Sequence, residues 1–117
     1  MTSPLQIAQR YFELSNQADL NTIEKMFTNT STYSSINTGV FYGRKQIIDM
    51  VRPFYDSFDT LNWDVHDVKE IRPNVIEFDF TFKGVKDNKE TIRHGIEYVI
   101  VNDDGLLQHV EVRNKNA

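Results

Sequence analysis

Eleven consecutive residues, Thr91-Ile92-Arg93-His94-Gly95-Ile96-Glu97-Tyr98-Val99-Ile100-Val101, limit the folds open to this chain more than any other stretch. β-Branched and aromatic side chains dominate them and proline is absent, so they predict a long central strand. Lys86-Asp87-Asn88-Lys89 before and Asn102-Asp103-Asp104-Gly105 after are turn signals, which pair the strand with a neighbour on each side. In its middle stands Glu97, among Ile96, Tyr98, Val99 and Ile100. A carboxylate on the apolar face of a sheet must be neutralised or partnered, because burying it charged is costly.

Around that strand the second half of the chain reads as a meander. Residues 61–71, 75–85, 91–101 and 106–114 alternate with short turns, a pattern of antiparallel strands. Two-residue turns fix the registers. Asp104-Gly105 sets Glu97 opposite Val112, Val99 opposite Val110 and Val101 opposite Gln108; Asp87-Asn88 sets Phe78 opposite Glu97, Phe80 opposite Gly95 and Phe82 opposite Arg93. Pro73-Asn74 places Lys69, Asp67, Val65 and Trp63 on the same face again. One face then carries Trp63, Val65, Phe78, Phe80, Phe82, Val99, Val110 and Val112 around Glu97, and helices should cover it. The other carries Glu77, Asp79, Thr81, Lys83, His94, Tyr98, His109, Glu111 and Arg113. Ile92, Ile96 and Ile100 lie between them, a surface suited to a second subunit.

The first half supplies the helices. Ser3-Pro4 is a helix start, and Leu5, Ile7, Ala8, Tyr11, Phe12 and Leu14 recur at helical spacing up to about Asn16-Gln17. Asp19 caps a short second helix bearing Leu20, Ile23, Met26 and Phe27. Residues 28–42 turn to Thr, Ser, Asn, Gly and Tyr, a loop with extended pieces at 31–36 and 40–42. Gly43 opens a third helix, residues 44 to about 58, which buries Ile47, Ile48, Val51, Phe54 and Phe58 and is expected to kink at Pro53.

Composition removes several classes of function. A chain of 117 residues predicts one domain over residues 1–117. Without cysteine there is no disulfide scaffold and no thiolate chemistry. A net charge of −4 with no dense Lys/Arg stripe argues against nucleic acid and anionic membrane as partners. No apolar run approaches the ~20 residues of a membrane helix. The first residues lack a leader pattern, so a cytoplasmic location is expected. His66, His94 and His109 all fall on the polar face without a converging ligand set, so neither a metal nor a cofactor is expected.

Order and length of these elements resemble the NTF2-like superfamily, and within it the ketosteroid isomerase and SnoaL-like group. The resemblance runs from about Gln6 to Asn114. It is carried by Gln9-Arg10-Tyr11, Ala18-Asp19-Leu20, Met26-Phe27, Gly43 and Gly95-Ile96-Glu97-Tyr98. It implies an α+β, cystatin-like cone of three N-terminal helices on a curved four- to five-stranded antiparallel sheet, with an apolar pocket between the layers, and commonly a homodimer. Steroid isomerases of the group pair a Tyr on the first helix with a protonated Asp on a central strand, and use a second Asp as base. Tyr11 and Glu97 match the first two positions, whereas Ser35, in Tyr33-Ser34-Ser35-Ile36, stands at the third. No carboxylate lies in residues 28–42, so the resemblance leaves the base unassigned and catalysis open.

Tyr11, Glu97 and Asp67 are therefore the candidate catalytic residues. Tyr11 and Glu97 would hold a substrate oxygen, and the base would be Asp67, or a water held by Tyr33 and Ser35. The bland alternatives are a structural Tyr–Glu hydrogen bond, an Arg93–Glu97 ion pair and an exposed Asp67. Tyr33, Ser35, Met50, Phe54, Trp63, Phe78, Phe80, Phe82, Val99, Val110 and Val112 are the expected pocket wall. Three readings follow: an isomerase, lyase or hydrolase acting on a small apolar or partly polar molecule; a non-catalytic binding domain; or a protein-interaction domain with a collapsed pocket. A cavity below a few hundred Å3 would remove the first two, since ligand sites are usually ~300 Å3 or more.

Overall fold

A capping box opens the first helix: the Ser3 hydroxyl accepts from the Gln6 amide at 3.2 Å, and the Gln6 side chain accepts from the Ser3 amide at 2.9 Å. The computed structural model describes residues 2–114. Helix α1 (Pro4–Asn16) buries Ile7, Ala8, Tyr11, Phe12, Leu14 and Ser15, the stripe its spacing predicts. Asp19 caps α2 (Leu20–Glu24) through the Thr22 amide. Helix α3 (Arg44–Asp56) follows Gly43 and contains Pro53. The Arg44 guanidinium donates to the Phe27 carbonyl and ties the start of α3 to the sheet.

Six strands form one sheet in the order β2-β1-β6-β5-β4-β3. They are β1 (Phe27–Ser35), β2 (Gly39–Tyr42), β3 (Thr60–Arg72), β4 (Val75–Lys86), β5 (Lys89–Val101) and β6 (Leu107–Asn114). The last four make the antiparallel meander that the turn signals predict. Two points differ from expectation. The polar stretch after α2 is a true strand, β1, and it lies parallel to β6, so the sheet is mixed and six-stranded rather than four- or five-stranded and antiparallel. The Ser31 hydroxyl, fully buried, donates to the Leu107 carbonyl at 2.5 Å and accepts from the Thr28 amide at 2.8 Å where that pairing is irregular.

Registers around the central strand are those the turns imply. Glu97 faces Phe78 and Val112, Val99 faces Val110, and Arg93 faces Phe82. Asp87 and Asn88 both take positive φ, 52° and 64°, as a type I′ turn requires. Two registers need correction. Val101 pairs with Leu107 rather than Gln108, because the Asn102 side chain accepts from the Asp104 and Leu106 amides and makes a longer loop in which only Gly105 has positive φ.

On β3 the error is larger and has a cause. Arg72 faces Val75 across the Pro73-Asn74 turn, but the pairing shifts between Glu70 and Arg72 and again between His66 and Lys69. Each bulge moves the register by one residue and swaps the faces. Two swaps cancel, so Trp63 and Val65 do point inward, now opposite Phe82 and Phe80. Between the bulges they do not cancel. Lys69 lies on the outer face with Glu77, at 3.5 Å, and Asp67 sits exposed in the bulge at φ 57°.

One apolar core joins the helices to the inner face of the sheet, with Phe27, Phe78, Phe82, Leu14 and Ile47 among its largest fully buried side chains. This is the α+β cone expected, helices covering one face of a curved sheet.

Candidate active site

Across the inner face one row of side chains runs Ser35, Val112, Glu97, Phe78. Glu97 is 7% exposed, so alternation along β5 does turn this carboxyl under the helices. Helix α1 lays Tyr11 over it, β1 contributes Tyr33, and α3 contributes Tyr55. The Tyr55 hydroxyl is hydrogen-bonded to Ser15, whose own hydroxyl donates to the Tyr11 carbonyl at 2.8 Å. Phe54, Trp63 and Phe82 close the apolar side, with ring centroids 5.5 Å apart for Phe54–Phe82 and 4.9 Å for Trp63–Phe82.

Next to Glu97 on the same face is Gly95. A Cβ there would collide with the Phe80 ring and with the Arg113 carbonyl, so only glycine lets that ring lie flat against β5.

The cavity these groups enclose has a volume of about 90 Å3. Its wall includes Tyr11, Tyr33, Ser35, Met50, Phe54, Trp63, Phe78, Phe80, Phe82, Glu97 and Val112, all expected from the sequence. Three expectations are corrected. Val99 and Val110 are wholly buried in the core and do not reach the cavity, because they lie one row further along the sheet, toward Ile76. Asp67 is on the far side of a bulge and is not part of the wall. The volume is below that few-hundred-Å3 threshold, which counts against a ligand held wholly inside; the cavity opens to solvent at the exposed Asn37, Thr38 and Arg93.

Tyr55, Phe12, Ser15, Val51, Asn37, Thr38 and Arg93 also line the cavity and were not among the expected pocket residues. For Tyr55 the signal was present: Ile47, Val51 and Tyr55 recur every four residues on one face of α3.

Electrostatics of the site follow from burial. Desolvation raises the Glu97 carboxyl to about 8, so at neutral pH it is protonated and a hydrogen-bond donor. Burial, and secondarily the Glu97 charge, pushes the Tyr11 and Tyr33 phenols well above their ordinary value. Burial also pushes Tyr55 up to about 12. No described residue hydrogen-bonds the Glu97 carboxyl, and Arg93 makes no ion pair with it. Its oxygens instead reach the cavity. A mostly buried carboxyl with no hydrogen bond among the described residues, its oxygens open to the cavity beside neutral phenols, can donate to an oxygen placed there.

His94 and His109 lie on the outer face, bonded to Thr81 at 3.1 Å and Thr32 at 2.6 Å, and His66 is exposed. Among the described residues no three His, Cys, Asp or Glu side chains gather as a metal site would need.

Known proteins share this architecture. SalBIII, described as an epoxide hydrolase/cyclase-like enzyme in pyran ring formation in the polyether salinomycin, superposes with a TM-score of 0.84 at 13% identity, over 96% of this chain and 90% of that one. An M. tuberculosis LEH-like epoxide hydrolase gives 0.83 at 9% identity, over 96% and 82%. An NTF2-like protein of unknown function from Burkholderia pseudomallei K96243 gives 0.83 at 12%, over 98% and 92%. At these identities the likeness concerns the fold. No functionally curated protein matches the sequence. The profile of the SnoaL-like domain matches residues 8–110, nearly the whole chain, and the chain belongs to that family.

Proposed function

We propose that this SnoaL-like domain acts on a small molecule bearing a carbonyl, epoxide or enol oxygen, which Glu97 protonates or holds together with Tyr11 and Tyr33. The observation that carries the reading is the Glu97 carboxyl, 7% exposed and without a hydrogen bond among the described residues, lining one apolar cavity with Tyr11, Tyr33 and Tyr55; its burial, which pushes it up to about 8, agrees with that reading. Such an acid supplies a proton, or stabilises a developing oxyanion, in isomerisation, elimination or ring opening. With Asp67 outside the site, the base is a water held at Tyr33 and Ser35. That SalBIII is described as epoxide hydrolase/cyclase-like and the M. tuberculosis protein as an LEH-like epoxide hydrolase supports trying epoxides first.

At about 90 Å3 the cavity takes only part of a ligand, with the remainder of the substrate outside. A panel of short epoxides and enolisable ketones, followed by NMR for binding and by chromatography for turnover, tests the reading. Binding or turnover should be lost in a Tyr11→Phe, Glu97→Gln double variant, and retention in that variant removes the assigned roles. The reading includes a cytoplasmic homodimer formed through the outer sheet face, where Ile92 is 52% exposed and Ile71 44%. The small volume favours a second reading, in which the domain works by protein contact and the carboxyl is a relic of packing; it predicts no binding across the whole panel.

A further inference from the structure

At the opposite end of the cavity wall from Glu97 stands a positive charge. Arg93 is four residues earlier on β5, on the same face, so their Cα atoms are roughly 13 Å apart at ~3.3 Å per residue. Gly95 lies between them, with the Phe80 ring against it. Arg93 is exposed yet lines the cavity, and its strand partner is Phe82, which in turn faces Trp63. Among the described residues that line the cavity, Arg93 and Glu97 are the ionisable groups besides the phenols. Among the described residues Arg93 has neither an ion pair nor a hydrogen bond, whereas Arg44 and Arg113 are both engaged.

The rim beside it is fixed: Asn37 and Asn114 exchange reciprocal side-chain hydrogen bonds at 3.1 Å, and Asn37 and Thr38 both line the cavity. A guanidinium at the mouth of an apolar cavity presents a planar fork of donors that matches a carboxylate. The chain carries a net charge of −4, so this local cation is what would let an anion approach.

We infer that the natural ligand is a short monocarboxylate with a second oxygen function, its carboxylate on Arg93 at the mouth and its far oxygen on Glu97 and Tyr11 inside. This names a substrate class for the site proposed above and rests on that proposal. A neutral acid at the base supports it, since an ionised Glu97 would repel such a ligand.

The probes are 4-oxopentanoate and 2-hexanone, which share a ketone and an apolar body but differ in the carboxylate. Affinities are measured by NMR titration of the wild-type protein and of Arg93→Gln, whose exposed position leaves folding intact. The expected result is that 4-oxopentanoate binds at least tenfold more tightly than 2-hexanone, with shifts at Tyr11 and Glu97, and that Arg93→Gln removes the advantage without weakening 2-hexanone. Equal binding of the two probes, or an advantage that survives Arg93→Gln, overturns the assignment while leaving the oxygen site standing. No binding of either probe at tens of millimolar overturns both.

Discussion

The proposed chemistry rests on Glu97, and its protonation is where that proposal is exposed at the scale of a residue. A carboxyl raised to about 8 in the fold, from ~4.3 in the unfolded chain, stabilises fully below ~4.3. That contribution declines as pH rises toward 8, by about tenfold in the folding equilibrium per unit, because the unfolded chain has lost its proton and the folded one has not. Denaturant unfolding of wild type and Glu97→Gln from pH 5 to 9 should therefore show the variant gaining relative stability up to about pH 8 and holding it above; parallel curves would contradict the assignment. The inward aim of Glu97 was legible because strand alternation and a genuine type I′ turn agreed. Asp67 was not, because a bulge has no signature in alternation. Its left-handed backbone makes a second prediction: Asp67→Val costs roughly 1–2 kcal/mol, Asp67→Gly is tolerated, and neither alters ligand binding.

Among the elements, β5 and β1 carry the site, and their legibility differed. The β5 sequence is apolar and β-branched, so its place as a central strand was plain. The β1 sequence, FTNTSTYSS, is polar, and its membership rests on long-range pairing with β6 that no local propensity announces. Buried hydroxyls hold that pairing. Replacing Ser31 by Ala strands the Leu107 carbonyl and Thr28 amide, at a cost of roughly 1–3 kcal/mol in a urea melt. On β5, Gly95→Ala forces the Phe80 ring out of its place, which should cost about 1–3 kcal/mol and alter the cavity enough to change probe affinity. Unchanged stability and binding in that variant would show that Phe80 has room the geometry denies it.

At the scale of the molecule, one curved sheet separates two surfaces of different character. The inner one is apolar with a single buried acid. The outer one is a polar lattice, in which Glu111 accepts from Arg113 and meets His109 at 3.3 Å, while the Arg113 guanidinium lies 5.4 Å from the Tyr98 ring centroid. The overall cone was readable from the order of elements, but the cavity's size was not, since it depends on how far Phe54, Tyr55 and Trp63 lean in. If the outer face is a dimer interface, light scattering will give twice the chain mass and Ile92→Glu will halve it; a monomeric wild type removes that part of the reading.

Every step toward function passes through the state of one carboxyl. The direct measurement is a pH titration of the Glu97 side-chain carboxyl carbon by NMR in the intact protein. The account predicts a midpoint near 8; a midpoint at the ordinary ~4.3 of an exposed glutamate would contradict it.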